Sequence, residues 1–415
     1  MVSKHEAAGW IGAGEAARRL GVKPATLYAY VSRGVLRRRR TGDGRRSLFD
    51  SGEIEELARR GRPRRPPSPS ELVIESQITV LGADRPYYRG RDALELAAEQ
   101  SFEAVAAWLW TGTFPEQAAE WRADPGVLAA GAAAQRGLPA ELLPLERLQV
   151  IVAALGATDP LRFHLDQPAV IAAGHNLIAG MVDCLPPATL GDVVPADATI
   201  PARLWGKLCP HPPTTGLLDL LRSALVLLAD HELAASTLAA RVAASVRADP
   251  YAVVAAGLGV LGGPLHGGAS LGAEAMLAEV RDLGHASRVI GERLRRGERI
   301  PGLGHRVYTS GDRRATYLLD RIRAVAPESE PVAAAEAVLT ESRRRRLPEP
   351  NIDLAVATLA GVADMIRGAG EAIFAVARTA GWLAHALEEY EHGTPLRPRA
   401  VYTGPEPRPR ETPPR

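Results

Sequence analysis

Apolar positions recur at intervals of three and four through most of this chain and alternate only in short stretches. The helical spacing predicts α-helices over residues 92–98, 101–111, 146–155, 168–181, 216–245, 251–261, 271–283, 313–325, 331–345, 352–367 and 371–390. Ahead of these, Leu72 to Leu81 alternates and is rich in β-branched residues. A turn follows at Ala83 to Pro86, and Tyr87 and Tyr88 resume the apolar pattern, which predicts one short β-hairpin. Near the N-terminus, Ala13 to Leu20 has helical spacing, Gly21 ends it, and Pro24 can open a second helix through Tyr30. The turn between them has the length that a helix-turn-helix requires. Arg37 to Arg40, a turn at Thr41 to Gly44, then Arg45, Arg46, Leu48 and Phe49 predict a hairpin wing with arginines on both arms. The expected fold is all-α, preceded by a small winged helix-turn-helix.

Charge divides the chain where the hydrophobic pattern does. Residues 1–65 hold 16 Lys and Arg against 7 Asp and Glu, while the whole chain nets only +2. The change coincides with Gly61 to Ser70, a run of Pro, Arg and Ser that opposes both helix and sheet and reads as a linker. The expected organisation is a helix-turn-helix module at 1–62, a linker at 63–70, and a body beyond it. A Pro- and Arg-rich end, 404–415, reads as a disordered tail.

Composition narrows the class. Hydrophobic residues at 46% and charged residues at 24% are the balance of a folded protein, and abundant Ala and Leu favour helix. Tyr251 to Ala273 lacks charged residues and has the length to span a bilayer, but Gly262, Gly263 and Pro264 interrupt it, so no membrane partner is expected. Cys184 and Cys209 offer neither a disulfide framework nor metal-ligand spacing. With no apolar leader at the start, a reducing, cytoplasmic setting and no metal are expected.

Four short motifs concentrate the reactive residue types: Asp230 to Thr237 (DHELAAST), Gly263 to Ser270 (GPLHGGAS), Pro301 to Tyr308 (PGLGHRVY, continuing to Arg314) and Pro350 to Asp353 (PNID). His266 lies between glycines just before a helix, where the helix N-terminus disfavours imidazolium and keeps a neutral donor. Asp353 opens an apolar helix, a position where acids commonly serve as caps. The helix end would depress its pKa. His285, His385 and His392 read as structural.

Together with Arg378 to His385 and Leu396 to Arg399, these motifs resemble the citrate synthase family in family order, from about residue 72 to 403. The resemblance implies an acyltransferase that condenses acetyl-CoA with oxaloacetate and hydrolyses citryl-CoA. The close alternative is propionyl-CoA as donor, as in 2-methylcitrate synthase. By resemblance His266 stabilises the enol of the acyl-CoA, His305 protonates the keto oxygen and Asp353 removes the methyl proton. His231, Arg314, Arg378 and Arg397 hold oxaloacetate, the last contributed by the other subunit of a homodimer. Pro301, Gly302, Leu303 and Gly304 hold the adenine of CoA, and no cofactor or metal is required. The implied body is a large domain at 71–268 and 368–403 with a small domain at 269–367 between. Ala234 and Ser270 stand where most relatives have Asn, and Arg313 where they have Pro, adding a cation beside Arg314.

The N-terminal stretch Glu15 to Leu36 and the following arginines resemble excisionase and MerR-type regulators. That resemblance implies Lys23, Thr26, Tyr28 and Arg33 as DNA contacts, with Arg37, Arg38, Arg39, Arg40, Arg45 and Arg46 on phosphates. A basic adaptor that docks a protein partner, or a regulator that senses oxaloacetate or CoA through the body, remains open.

Overall fold

The computed structural model describes residues 9–20, 22, 24–32, 35–41, 47–59, 73–116, 120–189, 195, 197–283, 285–398, 400 and 403–404. The linker at 63–70 and residues 405–415 of the tail lie outside them. The N-terminal module comprises β1 (Trp10–Gly12), α1 (Ala13–Leu20), α2 (Pro24–Ser32), β2 (Arg38–Arg40), β3 (Ser47–Asp50) and α3 (Ser51–Arg59). The predicted helix-turn-helix and both wing arms are present. The sheet is antiparallel in the order β1-β3-β2, so the arginine strand β2 is an edge. Strand β1 and helix α3 went unpredicted, because three residues are too few to show alternation and the α3 segment is mostly polar. Ala16, Leu20, Leu27, Tyr30, Leu36, Phe49 and Ile54 give this module a core of its own.

In the body, β4 (Thr79–Leu81), β5 (Pro86–Tyr88) and β6 (Arg91–Asp92) make a small antiparallel meander. The predicted first arm from Leu72 shrinks to three residues. The helices follow: α4 (Ala93–Glu99), α5 (Phe102–Thr111), α6 (Pro125–Ala134), α7 (Pro144–Thr158), α8 (Gln167–Cys184), α9 (Ile200–Leu208) and α10 (Thr215–Leu228). They continue as α11 (Ala235–Ser245), α12 (Pro250–Leu261), α13 (Gly268–Leu283), α14 (Ala286–Arg295), α15 (Arg313–Val325), α16 (Glu330–Arg344), α17 (Ile352–Val362) and α18 (Ala369–His392). Side chains of Asp92, Ser101, Asp124, Asp166, Thr214, Asp249, Asp312 and Asn351 accept hydrogen bonds from the first free N–H groups of their helices.

Helix α18 is buried along nearly its whole length, which makes it the hub of the body. It packs against α5, α7, α8, α10, α11, α12, α13 and α17. Helices α13 to α17 form a second group, with α13 on α16 and α17, α14 on α16, and α15 on α17. No helix of the described residues is long and apolar enough to cross a membrane.

Two expected helices are corrected. The helix predicted over 216–245 is two, α10 and α11, separated by Ala229 to Ala234. Their apolar periods join across the break, which hides it from a periodicity reading. The helix predicted over 352–367 ends at Val362, because Asp364 takes φ +51° and Gly368 φ +80° before α18 begins. Helices α6, α9 and α14 were missed: α6 is almost all Ala and Gly, α9 carries Pro201 and Gly206, and α14 is largely polar.

Candidate active site

The gap between α10 and α11 is a built turn. Glu232 adopts φ +53°, and its N–H donates to Asp230 Oδ2 at 3.0 Å. The turn rests on α18, where the Gly381 N–H donates to the Ala229 carbonyl at 3.0 Å. A Cβ at Gly381 would collide with that carbonyl oxygen and with the Asp230 carboxylate. This seating delivers His231 into the interior, with Nε2 3.0 Å from the Tyr308 hydroxyl.

His305 meets His231 edge to face at 5.2 Å between ring centroids and stacks on Tyr308 at 4.6 Å. Its Nδ1 accepts from the N–H groups of Val307 (3.0 Å) and Tyr308 (3.1 Å). Two donors on Nδ1 leave the proton of the neutral ring on Nε2, a fixed donor.

Two guanidinium groups lie buried close by. Arg314 Nε and Nη2 each donate to the Asp312 carboxylate at 2.9 Å, and the Ile352 N–H donates to the same carboxylate at 3.1 Å. Asp312 thus joins the start of α15 to the start of α17. Burial opposes the charge on Arg314, but Asp312 more than offsets it and raises the pKa. Arg378 donates from Nε to the Leu228 carbonyl at 2.8 Å and lies over the Phe374 ring at 4.7 Å. Its Nη1 is buried with no partner among the described residues. Burial lowers its pKa to about 10, which leaves it cationic at neutral pH. A buried cation with an unused donor is costly unless an anion arrives.

Asp353 stands in the first turn of α17, behind Asn351, whose side chain accepts from the Asp353 N–H at 3.1 Å. No described residue donates a hydrogen bond to the Asp353 carboxyl group. Burial raises its pKa to about 7, Arg314 and Arg378 pull against that rise, and Asp312 adds to it. The expected depression by the helix end is therefore outweighed, because desolvation is the larger effect here. His266 is pushed the other way, to about 4, by burial and then by Arg378, so it is neutral. Its Nε2 lies 2.6 Å from Ser236 Oγ, which accepts the Trp382 indole N–H at 3.3 Å. Indole can only donate, so the Ser236 hydroxyl proton is left for His266 Nε2, and the imidazole proton sits on Nδ1.

Pro301 to Gly304 lies against the Asp353 loop. Leu303 and Pro350 form a β-bridge, the Gly304 N–H donates to the Glu349 carbonyl at 2.7 Å, and Asn351 Nδ2 donates to the Gly304 carbonyl at 2.9 Å. Gly302 takes φ +78°, and a Cβ there would lie 2.8 Å from Leu354 Cβ, so only glycine fits.

His231, His305, Arg314, Arg378, His266 and Asp353 thus converge on one region. Arg397 does not join them within one chain. It is exposed beyond Leu396, whose N–H donates to Ser245 Oγ at 3.0 Å, at the end of α11 remote from His231. Arg313 is corrected too: its guanidinium turns toward Asp84 at 3.9 Å rather than standing beside Arg314. Ala234 leaves α11 without a side-chain cap, and Ser270 is spent on the Gly267 carbonyl at 3.0 Å. Sequence reasoning missed Tyr308, Ser236, Asp312 and Asn351. The last two carry a readable signal, a short polar side chain just ahead of a helix.

Residues 70–399 match the family model described as "Citrate synthase, C-terminal domain". The chain belongs to the citrate synthase family. It is an acyltransferase of that type, and residues 10–62 match a model described as "Helix-turn-helix domain". "Citrate synthase 2" of Bacillus subtilis is 30% identical over 367 residues, covering 81% of this chain and 94% of that relative. "2-methylcitrate synthase 1" of Corynebacterium glutamicum is 30% identical over 354 residues, covering 77% and 90%. The crystal structure of citrate synthase from Thermotoga maritima superposes with a TM-score of 0.68 at 26% identity, covering 81% of this chain and 95% of that one. Equal identity to a citrate and a 2-methylcitrate synthase means that likeness within this family does not choose the donor.

On the N-terminal module, Arg38, Arg39 and Arg40 are exposed along the edge strand. Arg38 lies 5.8 Å from the exposed Tyr28 ring, and Arg39 lies 4.6 Å from the Trp10 ring. Thr26 is half-buried. Arg37 differs from its neighbours, since it bonds Glu53 at 2.6 Å and Asp50 at 2.9 Å and holds α3 to the sheet. Lys23, Arg33, Arg45 and Arg46 lie outside the described residues.

Proposed function

We propose that this enzyme condenses acetyl-CoA with oxaloacetate and hydrolyses the product to citrate and CoA. The observation that carries the reading is the Asp353 carboxyl group, half-buried, with no hydrogen-bond donor among the described residues and a pKa raised to about 7. As carboxylate it takes a proton from the acetyl methyl group while His266 Nδ1–H donates to the thioester oxygen. The enolate carbon attacks the keto carbon of oxaloacetate as the thioester carbonyl re-forms, and His305 Nε2–H gives its proton to the oxygen that becomes the hydroxyl, that proton being replaced through solvent by the one Asp353 took from the methyl group. Water then cleaves the citryl thioester and CoA leaves.

Arg314, Arg378 and His231 pair with the oxaloacetate carboxylates, for which a planar guanidinium fork is well shaped. Arg397 would reach the site only from a second copy of the chain, in a homodimer. The loop Pro301–Gly304 would take the adenine of CoA. Residues 269–367 would move as a small domain against 71–268 and 368–403, closing the cleft over oxaloacetate and excluding water.

The test is thiol release from acetyl-CoA and from propionyl-CoA, each with and without oxaloacetate. Oxaloacetate-dependent release with acetyl-CoA preferred is expected. A preference for propionyl-CoA would make the enzyme a 2-methylcitrate synthase, and no release from either donor would overturn the reading. One methylene is worth only about 1–3 kcal/mol, so the ratio of the two rates is the deciding quantity.

A second reading concerns the N-terminal module. The exposed row Arg38, Arg39 and Arg40 beside Tyr28 supports phosphate-backbone binding to DNA. A gel shift of duplex DNA that weakens as salt rises, and is lost when all three arginines become alanine, is expected. No shift at low salt would leave the module as a protein-docking adaptor.

A further inference from the structure

A row of buried polar groups runs outward from His231 and takes no part in the chemistry above. Asp230, Arg241 and His385 have no exposed surface, and Glu389 is 2% exposed. Arg241, on α11, donates from Nε to Glu389 at 2.6 Å and from Nη1 to Glu388 at 2.6 Å. The same Nη1 faces His385 Nδ1 at 2.7 Å. Guanidinium has donors only, so Nδ1 must accept, and the neutral His385 ring carries its proton on Nε2. That nitrogen lies 3.3 Å from Asp230 Oδ1 and 3.4 Å from Oδ2. The hydrogen bonds therefore run in one direction, from Arg241 to His385 to Asp230.

The inner end of the row sets the turn that bears His231. Asp230 Oδ2 accepts the N–H of Glu232, a non-glycine residue at φ +53°, a strained conformation that persists only when its surroundings hold it. The residue between the two ends of that bond is His231. Burial alone would raise the Asp230 pKa, but His385 and then Arg378 reverse this and keep it below the usual value. The outer end meets the segment that leads in from the N-terminal module, because Glu388 Oε1 accepts the Gln77 N–H at 2.7 Å.

We propose that Arg241 and His385 are positioning residues for the keto-acid site: by orienting the Asp230 carboxylate they hold the Glu232 turn and so place His231 against the oxaloacetate carboxylate. Their hydrogen bonds fix where His231 stands, while its own contact with substrate does the binding. This rests on the reading of the cleft as an oxaloacetate site. The donor's reacting carbon is handled by Asp353 on α17 and His266 ahead of α13, neither of which bonds a member of the row, so a change in the row is expected to fall on the keto acid first.

The experiment compares full-length wild type, His385→Ala and His385→Gln. KM is measured for each substrate, oxaloacetate affinity is measured directly by titration calorimetry, and folding is checked by circular dichroism and thermal midpoint. His385→Ala is expected to raise KM and Kd for oxaloacetate roughly tenfold or more, with KM for acyl-CoA within about twofold, as expected for a lost hydrogen bond to a charged group. His385→Gln, whose amide can still donate toward Asp230, is expected to recover most of the loss. A folded His385→Ala enzyme with unchanged oxaloacetate affinity would overturn the proposal, as would equal rises in both KM values. If His385→Ala does not fold, Glu388→Gln, at the outer end where the side chain is 14% exposed, decides: a smaller rise for oxaloacetate alone supports the row, and no change overturns it. A wild type that binds oxaloacetate but releases no thiol would sink the condensation reading alone and leave the positioning claim open to the calorimetric arm.

Discussion

Replacing Asp353 by Asn should cut oxaloacetate-dependent thiol release by about 100- to 10,000-fold, the usual contribution of a positioned base. The amide fills the same space and keeps the Asn351 contact to the backbone, so the loss reports the missing proton acceptor. For the wild type, burial holds the Asp353 carboxyl near 7 against the pull of Arg314 and Arg378. Only its ionised form is a base, so kcat/KM should rise as pH passes through about 7 and level above it. The stability signature has the opposite slope. The folded pKa lies above the ordinary carboxylate value of 3.8, so between about pH 4 and 7 the folded state binds the extra proton. Wild-type stability therefore falls as pH rises across that window. Asp353→Asn has no such cost, and its thermal midpoint should exceed that of the wild type at pH 8, with the gap closing by pH 4. A variant that melts below wild type at pH 8 would mean that the carboxylate is a structural partner rather than a strained base.

The second large effect is expected at Arg378. Its guanidinium is buried, tied by Nε to the Leu228 carbonyl, and its Nη1 has no partner among the described residues. Arg378→Ala should raise KM for oxaloacetate by two to three orders of magnitude, since truncating one partner of a buried charge pair costs about 2–5 kcal/mol. The KM for acyl-CoA should stay close to the wild-type value. Arg378→Lys should recover only part of the loss. Its ammonium keeps the charge but cannot bond Leu228 and present a planar fork to a carboxylate at once. Steady-state kinetics with each substrate varied in turn, on variants shown to be folded, tests this. Oxaloacetate KM within threefold of wild type in Arg378→Ala would remove Arg378 from the substrate site.

Some of this protein was open to reading from the chain alone. The periods of apolar residues yield most of the body's helices, and cap residues mark where several begin. The change in charge and the proline run separate a basic N-terminal module from the body. The reactive types also stand in recognisable short runs, with glycines beside His266 and a helix start at Asp353. These are local properties, and a local pattern can carry them.

What the chain could not show is how each side chain is spent, because that depends on groups far away in sequence. Arg37 and Arg38 are neighbours, yet one is consumed by Glu53 and Asp50 and the other lies exposed beside Tyr28. Arg313 and Arg314 diverge in the same way, toward Asp84 and into the buried pair with Asp312. The break at Ala229 to Ala234 is invisible in the apolar period, because α10 and α11 each keep one face on α18. It is decided by Gly381, whose missing side chain gives that turn its seat. The pKa of Asp353 is the clearest case. Its place at a helix start predicts depression, whereas the packing of α13, α15 and α18 around α17 strips away part of its hydration and raises it to about 7. Sequence determined which groups were available; only the tertiary structure decided which were buried, which were paired, and which stayed unpaired.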